Sequence, residues 1–153
     1  MTNTLNRIHQ LGLSLPDSVH PIASYVPATI SGSFVFTSGQ LPLIMGKIID
    51  PGILNKDSDI EKGKAAARVC VLNGLSAIRN LIGDLDKISK VIKVVGYVAS
   101  DPSFVNQPAV VNGASDLILD IFGENGRHAR TSIGVASLPL NSPVEIEMIV
   151  EFK

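Results

Sequence analysis

The stretch Ile88–Ala99, ISKVIKVVGYVA, decides the fold, because it is long, rich in β-branched residues and apolar on both sides. Side chains alternate between the two faces of a strand. One face is predicted to carry Val91, Val95 and Tyr97, and the other Ile92, Val94 and Val98. Helices can cover only one face of such a sheet, so the second apolar face needs another cover, and a partner subunit is the simplest one. The pattern therefore predicts an oligomer.

A helix is predicted on each side of this strand. Before it, Ser58 and Glu61 match a capping box, and small and apolar residues recur at helical spacing until Gly83. After it, Pro108 suits the first turn of a second helix that runs to about Phe122. The two helices predict one helical layer on one face of a sheet.

Shorter strands complete the predicted order of strand, strand, helix, strand, helix, strand, strand. They span residues 33–40, 44–50, 131–137 and 144–152. Residues 1–20 include Pro16 and are predicted to form an irregular N-terminal extension with a short helical turn. The chain is therefore predicted to be a single α+β domain over residues 1–153, with one sheet backed by two helices.

The composition argues against several classes of function. The formal net charge is −1, and aromatic residues make up 5% of the chain with no tryptophan, so nucleic acid is a poor partner. Cys70 is the only cysteine and the three histidines are scattered, so no metal site is predicted. The first residues lead into no apolar run long enough for a signal peptide, and no segment reaches the roughly 20 apolar residues of a spanning helix. These observations predict a cytoplasmic protein without a membrane partner.

Three places hold polar residues that folding does not require. Gly39 follows an apolar strand and permits close backbone approach to a ligand, although a bulge before a turn is the simpler explanation. Arg130 precedes a strand, where its planar fork can bind a carboxylate, unless it is a surface arginine paired to a nearby acid. Glu145 shares one face of the last strand with Glu147 and Glu151. It lies either near a site, where it could deprotonate a water, or on a solvated edge.

These places coincide with the motifs of a known family. From Pro21 to the C-terminus, the sequence resembles the RidA/YjgF family in its longer bacterial branch. The resemblance rests on residues 23–25 (ASY), 36–42 (FTSGQLP), 129–132 (ARTS) and 144–147 (VEIE). It implies a chorismate-mutase-like fold, with one mixed sheet backed by two helices, and a homotrimer with clefts between its subunits.

The resemblance also implies an activity: hydrolytic deamination of small 2-imino or enamine carboxylic acids to a 2-keto acid and ammonia, without a cofactor or a metal. The partner is then a small carboxylate metabolite. The residue matching Arg130 holds the substrate carboxylate, and the one matching Glu145 handles the attacking water. The residues expected to line the pocket are Tyr25, Ser38, Gly39, Asn112 and Ser132. A serine at position 132, where the family commonly has a cysteine, leaves the identity of the substrate open.

Two alternatives to the deaminase stay open. A non-catalytic, regulatory module that senses a small carboxylate through Arg130 would bind its ligand without turnover. An endoribonuclease or translation inhibitor, the older family label, has less support, because the charge is balanced and no histidine pair offers acid–base chemistry on a phosphodiester. His128 could act as a base, but a lone loop histidine is usually structural.

Overall fold

The computed structural model describes residues 3–17 and 24–153, which form three α-helices and seven strands. The helices are α1 Thr4–Gln10, α2 Ile60–Ile82 and α3 Gln107–Phe122. The strands are β1 Ala28–Ser31, β2 Phe34–Thr37, β3 Leu43–Ile44, β4 Lys47–Ile48, β5 Ile88–Ala99, β6 Ala129–Val135 and β7 Val144–Phe152. None of these helices combines the length and the apolar character that crossing a membrane requires.

Five of the strands form one mixed sheet in the order β1-β2-β7-β5-β6. Neighbouring strands run antiparallel except β5 and β6, which are parallel. A parallel pair needs a crossover connection, and α3 supplies it. Helices α2 and α3 pack against each other and against one face of the sheet. The structure therefore confirms the α+β class and the sheet backed by two helices.

The core lies between the sheet and these two helices. On β7, the alternate residues that the sequence assigns to this face are buried: Val144, Ile146, Met148 and Val150. The helices approach each other closely, because a Cβ on Gly113 of α3 would collide with the backbone of Lys64 on α2. A glycine at this crossing lets both helices lie flat on the sheet.

The opposite face of the sheet, which we call the open face, carries no helix from the described residues. Strand register places on it the apolar side chains of Phe34, Phe36, Val95, Tyr97, Ile133 and Ile149. Phe36 is 37% exposed and Ile133 is 42% exposed. The prediction that β5 is apolar on both faces is therefore confirmed for Val95 and Tyr97 on the open face and for Val94 and Val98 on the helix-covered face, whereas Ile92 has no partner in the register and Val91 changes face. A register shift between Val91 and Lys93 adds a residue there, so Val91 pairs with Val150 on the helix-covered face.

The N-terminal segment is more ordered than the sequence predicts. Residues Thr4–Gln10 form α1, a helix of seven residues, where the sequence predicts an irregular extension with a short helical turn. Asn3 caps the helix by accepting a hydrogen bond from the backbone N–H of Asn6 at 2.8 Å. Ile8 is fully buried in the main core, and this tertiary packing, which a short segment does not reveal, stabilises the helix. Residues 1–2 and 18–20 of the predicted extension lie outside the described residues.

Two other predictions for the first half of the chain are corrected by the structure. The predicted strand 44–50 is a small hairpin of β3 and β4, because Met45 and Gly46 take φ angles of 50° and 78° and turn the chain. Helix α2 begins at Ile60 after a 3-10 turn, and it is Asp59 rather than Ser58 whose side chain accepts backbone N–H groups at this end. Strand β1, which the sequence analysis does not identify, pairs with β2 at the edge of the sheet.

Candidate functional site

A cavity of about 170 Å³ lies beside the start of β7, and we call it the Glu145 pocket. Tyr25, Gly39 and Glu145 line it, so the structure brings together three of the residues that the family motifs indicate. Helix α2 contributes Asn73 and Ser76. The N-terminal segment contributes Pro16 and Asp17, which the sequence analysis misses because only tertiary packing brings that segment here.

Backbone pairing brings Gly39 next to Glu145. Gln40 and Ile146 exchange two backbone hydrogen bonds of 2.8 and 3.0 Å, which hold the segment after β2 against β7. A Cβ on Gly39 would collide with the carboxylate of Glu145. The glycine is therefore required for the close approach of the Glu145 carboxylate at the pocket wall, and the approach of a ligand to Gly39 stays a prediction.

The carboxyl group of Glu145 has perturbed electrostatics. Burial raises the pKa of Glu145 above its usual value of 4.5, and the negative charge of Glu147 on the same strand face raises it further. Both effects disfavour the ionised form. A carboxyl group with a raised pKa at a pocket wall is suited to exchange protons with a bound water.

Ser38 is adjacent to the pocket, but its hydroxyl has a different partner. The Ser38 Oγ donates to the carbonyl of Val26 at 2.6 Å, and its backbone N–H donates to the carbonyl of Pro27 at 2.8 Å. These bonds fix the segment that follows Tyr25, whose side chain is 58% exposed at the pocket. Ser38 therefore positions the tyrosine segment, and a contact of Ser38 with a ligand stays a prediction.

Arg130 lies elsewhere, among residues that we call the Arg130 cluster: Asn112, Ser115, His128 and Arg130. The Arg130 Nη1 donates to Asn112 Oδ1 at 2.7 Å and to Ser115 Oγ at 3.2 Å. Ser115 Oγ is 2.9 Å from His128 Nε2, and His128 Nδ1 is 2.6 Å from the carbonyl oxygen of Gly126. Asn112, expected to line the pocket, thus contacts the arginine directly. Ser115 is missed by the sequence analysis, although its place one helical turn after Asn112 is a signal that could have found it.

The rest of the Arg130 guanidinium is unengaged in the part of the chain that the structure describes. Its Nε and Nη2 groups make no hydrogen bond there, and no carboxylate forms an ion pair with it. The alternative interpretation, a surface arginine paired to a nearby acid, requires such an acid, and none of these residues supplies one. Ser132 lies two residues further along β6, and its buried Oγ also lacks a hydrogen-bond partner there.

The sheet itself separates Arg130 from Glu145 within one chain. Arg130 pairs with Val94 on one side of β5, and Glu145 pairs with Tyr97 on the other. With strands about 4.8 Å apart and a rise of about 3.3 Å per residue, the two Cα atoms are about 14 Å apart. The side chains also leave opposite faces, since Val94 is on the helix-covered face and Tyr97 on the open face. One copy of the chain therefore does not bring both groups to one small ligand.

The described residues hold no group of three or more histidine, cysteine, aspartate or glutamate side chains placed to bind a metal ion. The buried thiol of Cys70 lies within 3.7 Å of the Val144 carbonyl oxygen, and burial raises its pKa well above the usual value. It is a core residue, fully buried beneath the sheet.

Comparison with known proteins relates this arrangement to a family. Residues 5–152 match the family model described as "YjgF/chorismate_mutase-like, putative endoribonuclease". The protein TCP17 of Trypanosoma cruzi is 43% identical over 145 residues, which cover 94% of this chain and 91% of that protein. The crystal structure of Atu1372, a protein with unknown function from Agrobacterium tumefaciens, has a TM-score of 0.90 at 48% identity, over 98% of this chain and 92% of that one. E. coli TdcF with bound serine has a TM-score of 0.61 at 26% identity, over 89% of this chain and 94% of that one. In sequence and in fold, the chain belongs to the RidA/YjgF family.

Proposed function

We propose that the protein is a hydrolytic deaminase of small 2-imino or enamine carboxylic acids, which it converts to 2-keto acids and ammonia. The observation that carries this proposal is the Arg130 guanidinium. Its Nη1 is held by two neutral oxygen acceptors, and its Nε–Nη2 edge is left without a partner among the described residues. That edge matches the two oxygens of a carboxylate, which it can bind through two parallel hydrogen bonds.

We further propose that the site forms between copies of the chain, in a homotrimer. Arg130 and Glu145 leave opposite faces of one sheet, so a second copy must supply one of the two groups to a ligand that contacts both. The apolar open face supports assembly independently, because a solvent-exposed patch of aromatic and branched residues is costly on a monomer. In this arrangement, Arg130 of one copy faces the Glu145 pocket of its neighbour.

The chemistry needs little beyond positioning, because the carbon of a protonated imine is already electrophilic. Glu145 accepts a proton from water as the water oxygen bonds to the imine carbon, giving a carbinolamine. It returns that proton to the amine nitrogen. The carbon–nitrogen bond then breaks as the hydroxyl becomes the ketone oxygen, and the hydroxyl proton leaves with ammonia as ammonium. The raised pKa of Glu145 makes its carboxylate a stronger base toward the attacking water, and the proton then passes to the carbinolamine nitrogen because an amine is more basic than a carboxylate.

The relatives support a small carboxylate as the ligand. E. coli TdcF, which is similar to this chain over most of its length, holds serine in its crystal structure. Serine carries the α-carboxylate that we assign to Arg130. The endoribonuclease label of the family has less support from the site, since both ring nitrogens of His128 are engaged by Ser115 and Gly126.

A carboxylate sensor is the second candidate, and the same arginine favours it. The Nε–Nη2 edge of Arg130 would bind a carboxylate whether or not Glu145 takes part in a reaction. Serine at position 132, two residues after Arg130, distinguishes this chain from the cysteine-bearing members that the sequence resembles. A sensor would bind a 2-keto or amino acid without accelerating imine hydrolysis.

The decisive assay follows ammonia and keto-acid release from 2-iminopropanoate and 2-iminobutanoate, generated in situ by oxidation of the corresponding amino acids. Arg130→Ala should abolish the acceleration given by the wild type. Arg127→Ala is the matched control, because Arg127 is an exposed arginine three residues away whose partner is Glu124 at 2.8 Å, and it should leave the rate unchanged. If the wild type does not accelerate release, the deaminase proposal fails. Binding of 2-oxobutanoate by that same protein would then favour the sensor.

A further inference from the structure

We propose that Ser115 and His128 are positioning residues, which hold the guanidinium of Arg130 in the orientation that binds a carboxylate. The inference rests on the carboxylate-binding role proposed for Arg130, and it adds two residues to which neither the motifs nor the family comparison assigns a role. It is carried by a chain of hydrogen bonds from Arg130 through Ser115 and His128 to the backbone at Gly126.

The backbone carbonyl of Gly126, at the end of this series of hydrogen bonds, determines which group donates and which accepts in each of them. The carbonyl oxygen of Gly126 can only accept a hydrogen bond, and it lies 2.6 Å from His128 Nδ1, so Nδ1 carries the proton. In the neutral ring, Nε2 is then an acceptor, and the Ser115 hydroxyl 2.9 Å away donates to it. This tautomer is assigned from the contacts. With its hydrogen turned toward His128, Ser115 Oγ presents a lone pair to Arg130 Nη1 at 3.2 Å.

Rigid structure holds both ends of this series of hydrogen bonds. Ser115 lies within α3, one turn after Asn112. Gly126 ends a 3-10 turn that packs on α3, and a Cβ there would come within 2.7 Å of the Ile118 carbonyl oxygen. The carbonyl that orients His128 is therefore fixed by close backbone contact with the same helix that carries Ser115.

The consequence for Arg130 is geometric. Nη1 carries two hydrogens, one directed to Asn112 and one to Ser115, so these two acceptors fix the plane of the guanidinium. The Nε–Nη2 edge then points away from both of them. Without the Ser115 hydroxyl, a single acceptor remains and the plane can rotate. Without an acceptor at His128 Nε2, the Ser115 hydrogen is free to turn toward the guanidinium, which repels it. His128 thus acts on the arginine through Ser115.

The test compares variants that remove each group with variants that keep it. Ser115→Ala and His128→Leu remove the hydroxyl and the ring acceptor. Ser115→Thr keeps a hydroxyl, and His128→Gln places an amide oxygen near the position of Nε2. The readouts are the Kd for 2-oxobutanoate by calorimetry, and KM and kcat for 2-iminobutanoate, with a thermal melt of each variant to check its folding.

We expect Ser115→Ala to weaken 2-oxobutanoate binding about ten-fold, which corresponds to about 1.4 kcal/mol, and His128→Leu to weaken it about three-fold. KM should rise by the same factors while kcat stays within about two-fold, because only the carboxylate anchor is disturbed. Ser115→Thr and His128→Gln should bind within about two-fold of the wild type.

Two outcomes overturn the inference: unchanged binding in Ser115→Ala and His128→Leu, or equal losses in the conservative variants, which would mean that packing rather than hydrogen bonding is responsible. A wild type that binds 2-oxobutanoate but does not hydrolyse imines would refute the deaminase proposal alone, and the binding comparison would still decide the inference. A wild type that binds no carboxylate would overturn both.

Discussion

Mixing two inactive variants should restore activity if each site draws on two copies of the chain. Arg130→Ala removes the proposed carboxylate anchor, and Glu145→Gln removes the proposed proton acceptor with little change in shape. Each variant alone should lose nearly all imine hydrolysis. When the two proteins are unfolded together and refolded at equal concentration, we expect about one quarter of the wild-type activity per chain to return.

The expected recovery of activity follows from the geometry of the sheet. Arg130 and Glu145 lie about 14 Å apart at their Cα atoms and leave opposite faces, so a site that uses both must take them from different copies. In a randomly mixed oligomer, the anchor of a given site is intact with a probability of one half, and so is the acceptor. The two choices are independent, so about one quarter of the sites hold both groups, whatever the number of subunits.

Native mass spectrometry establishes that mixed oligomers have formed, and the assay is ammonia release from 2-iminobutanoate. Each variant refolded alone is the control for revertant or residual activity. Mixed oligomers without any recovery would refute the reasoning, because they would mean that Arg130 and Glu145 do not serve one site from different copies. Full activity in either single variant would show that the missing group is not required.

Three further predictions concern the pocket wall and the helix packing. Gly39→Ala should lower imine hydrolysis by about ten-fold or more with a small change in Tm, because its Cβ would displace the Glu145 carboxylate; normal activity would contradict this. Burial, and then the neighbouring carboxylate of Glu147, raises the pKa of Glu145 in the folded state. The folded state therefore binds the Glu145 proton more tightly than the unfolded state does. The resulting stabilisation is present in full below about pH 4.5 and is lost as pH rises through the raised pKa. Urea denaturation should therefore find Glu145→Gln gaining stability relative to the wild type as pH rises above about 4.5, and a difference that does not change with pH would refute the pKa shift. Gly113→Ala should lower the free energy of unfolding by about 2 kcal/mol, because its Cβ would collide with the backbone of Lys64, whereas Asp116→Ala on the exposed side of the same helix should change it by about 0.5 kcal/mol or less.

The elements that the sequence predicts best are those whose local pattern and tertiary role agree. Strands β5 and β7 have the predicted ends, Ile88–Ala99 and Val144–Phe152, because long β-branched runs stop at turn residues. The elements predicted poorly owe their conformation to contacts elsewhere in the chain. Helix α1 depends on the burial of Ile8, and the shift at Val91 follows from pairing with β7, which no alternation within β5 reveals.

The residues of the candidate site also differ in how well the sequence predicts them. Local motifs are enough to indicate Arg130, Gly39 and Glu145. A guanidinium fork, a missing Cβ and a carboxylate are properties of the residue itself. The roles of Ser38 and Asn112 depend on their partners. Ser38 bonds to the carbonyl of Val26 and Asn112 bonds to Arg130, and neither contact can be inferred from a local motif.

The proposed oligomer and the proposed active site both follow from one feature, the two-sided character of the sheet. The apolar open face, which includes Phe36 and Ile133, predicts that a second copy covers it. The polar residues lead to the same conclusion independently, because the anchor and the acceptor lie on opposite faces of that sheet. In a monomer the apolar face would be uncovered, and Glu145, the proposed proton acceptor, would be out of reach of a ligand held by Arg130. A neighbouring copy on the open face would cover the apolar residues, and the proposed site between copies would supply the acceptor, so disrupting the assembly should abolish hydrolysis even when every site residue is intact.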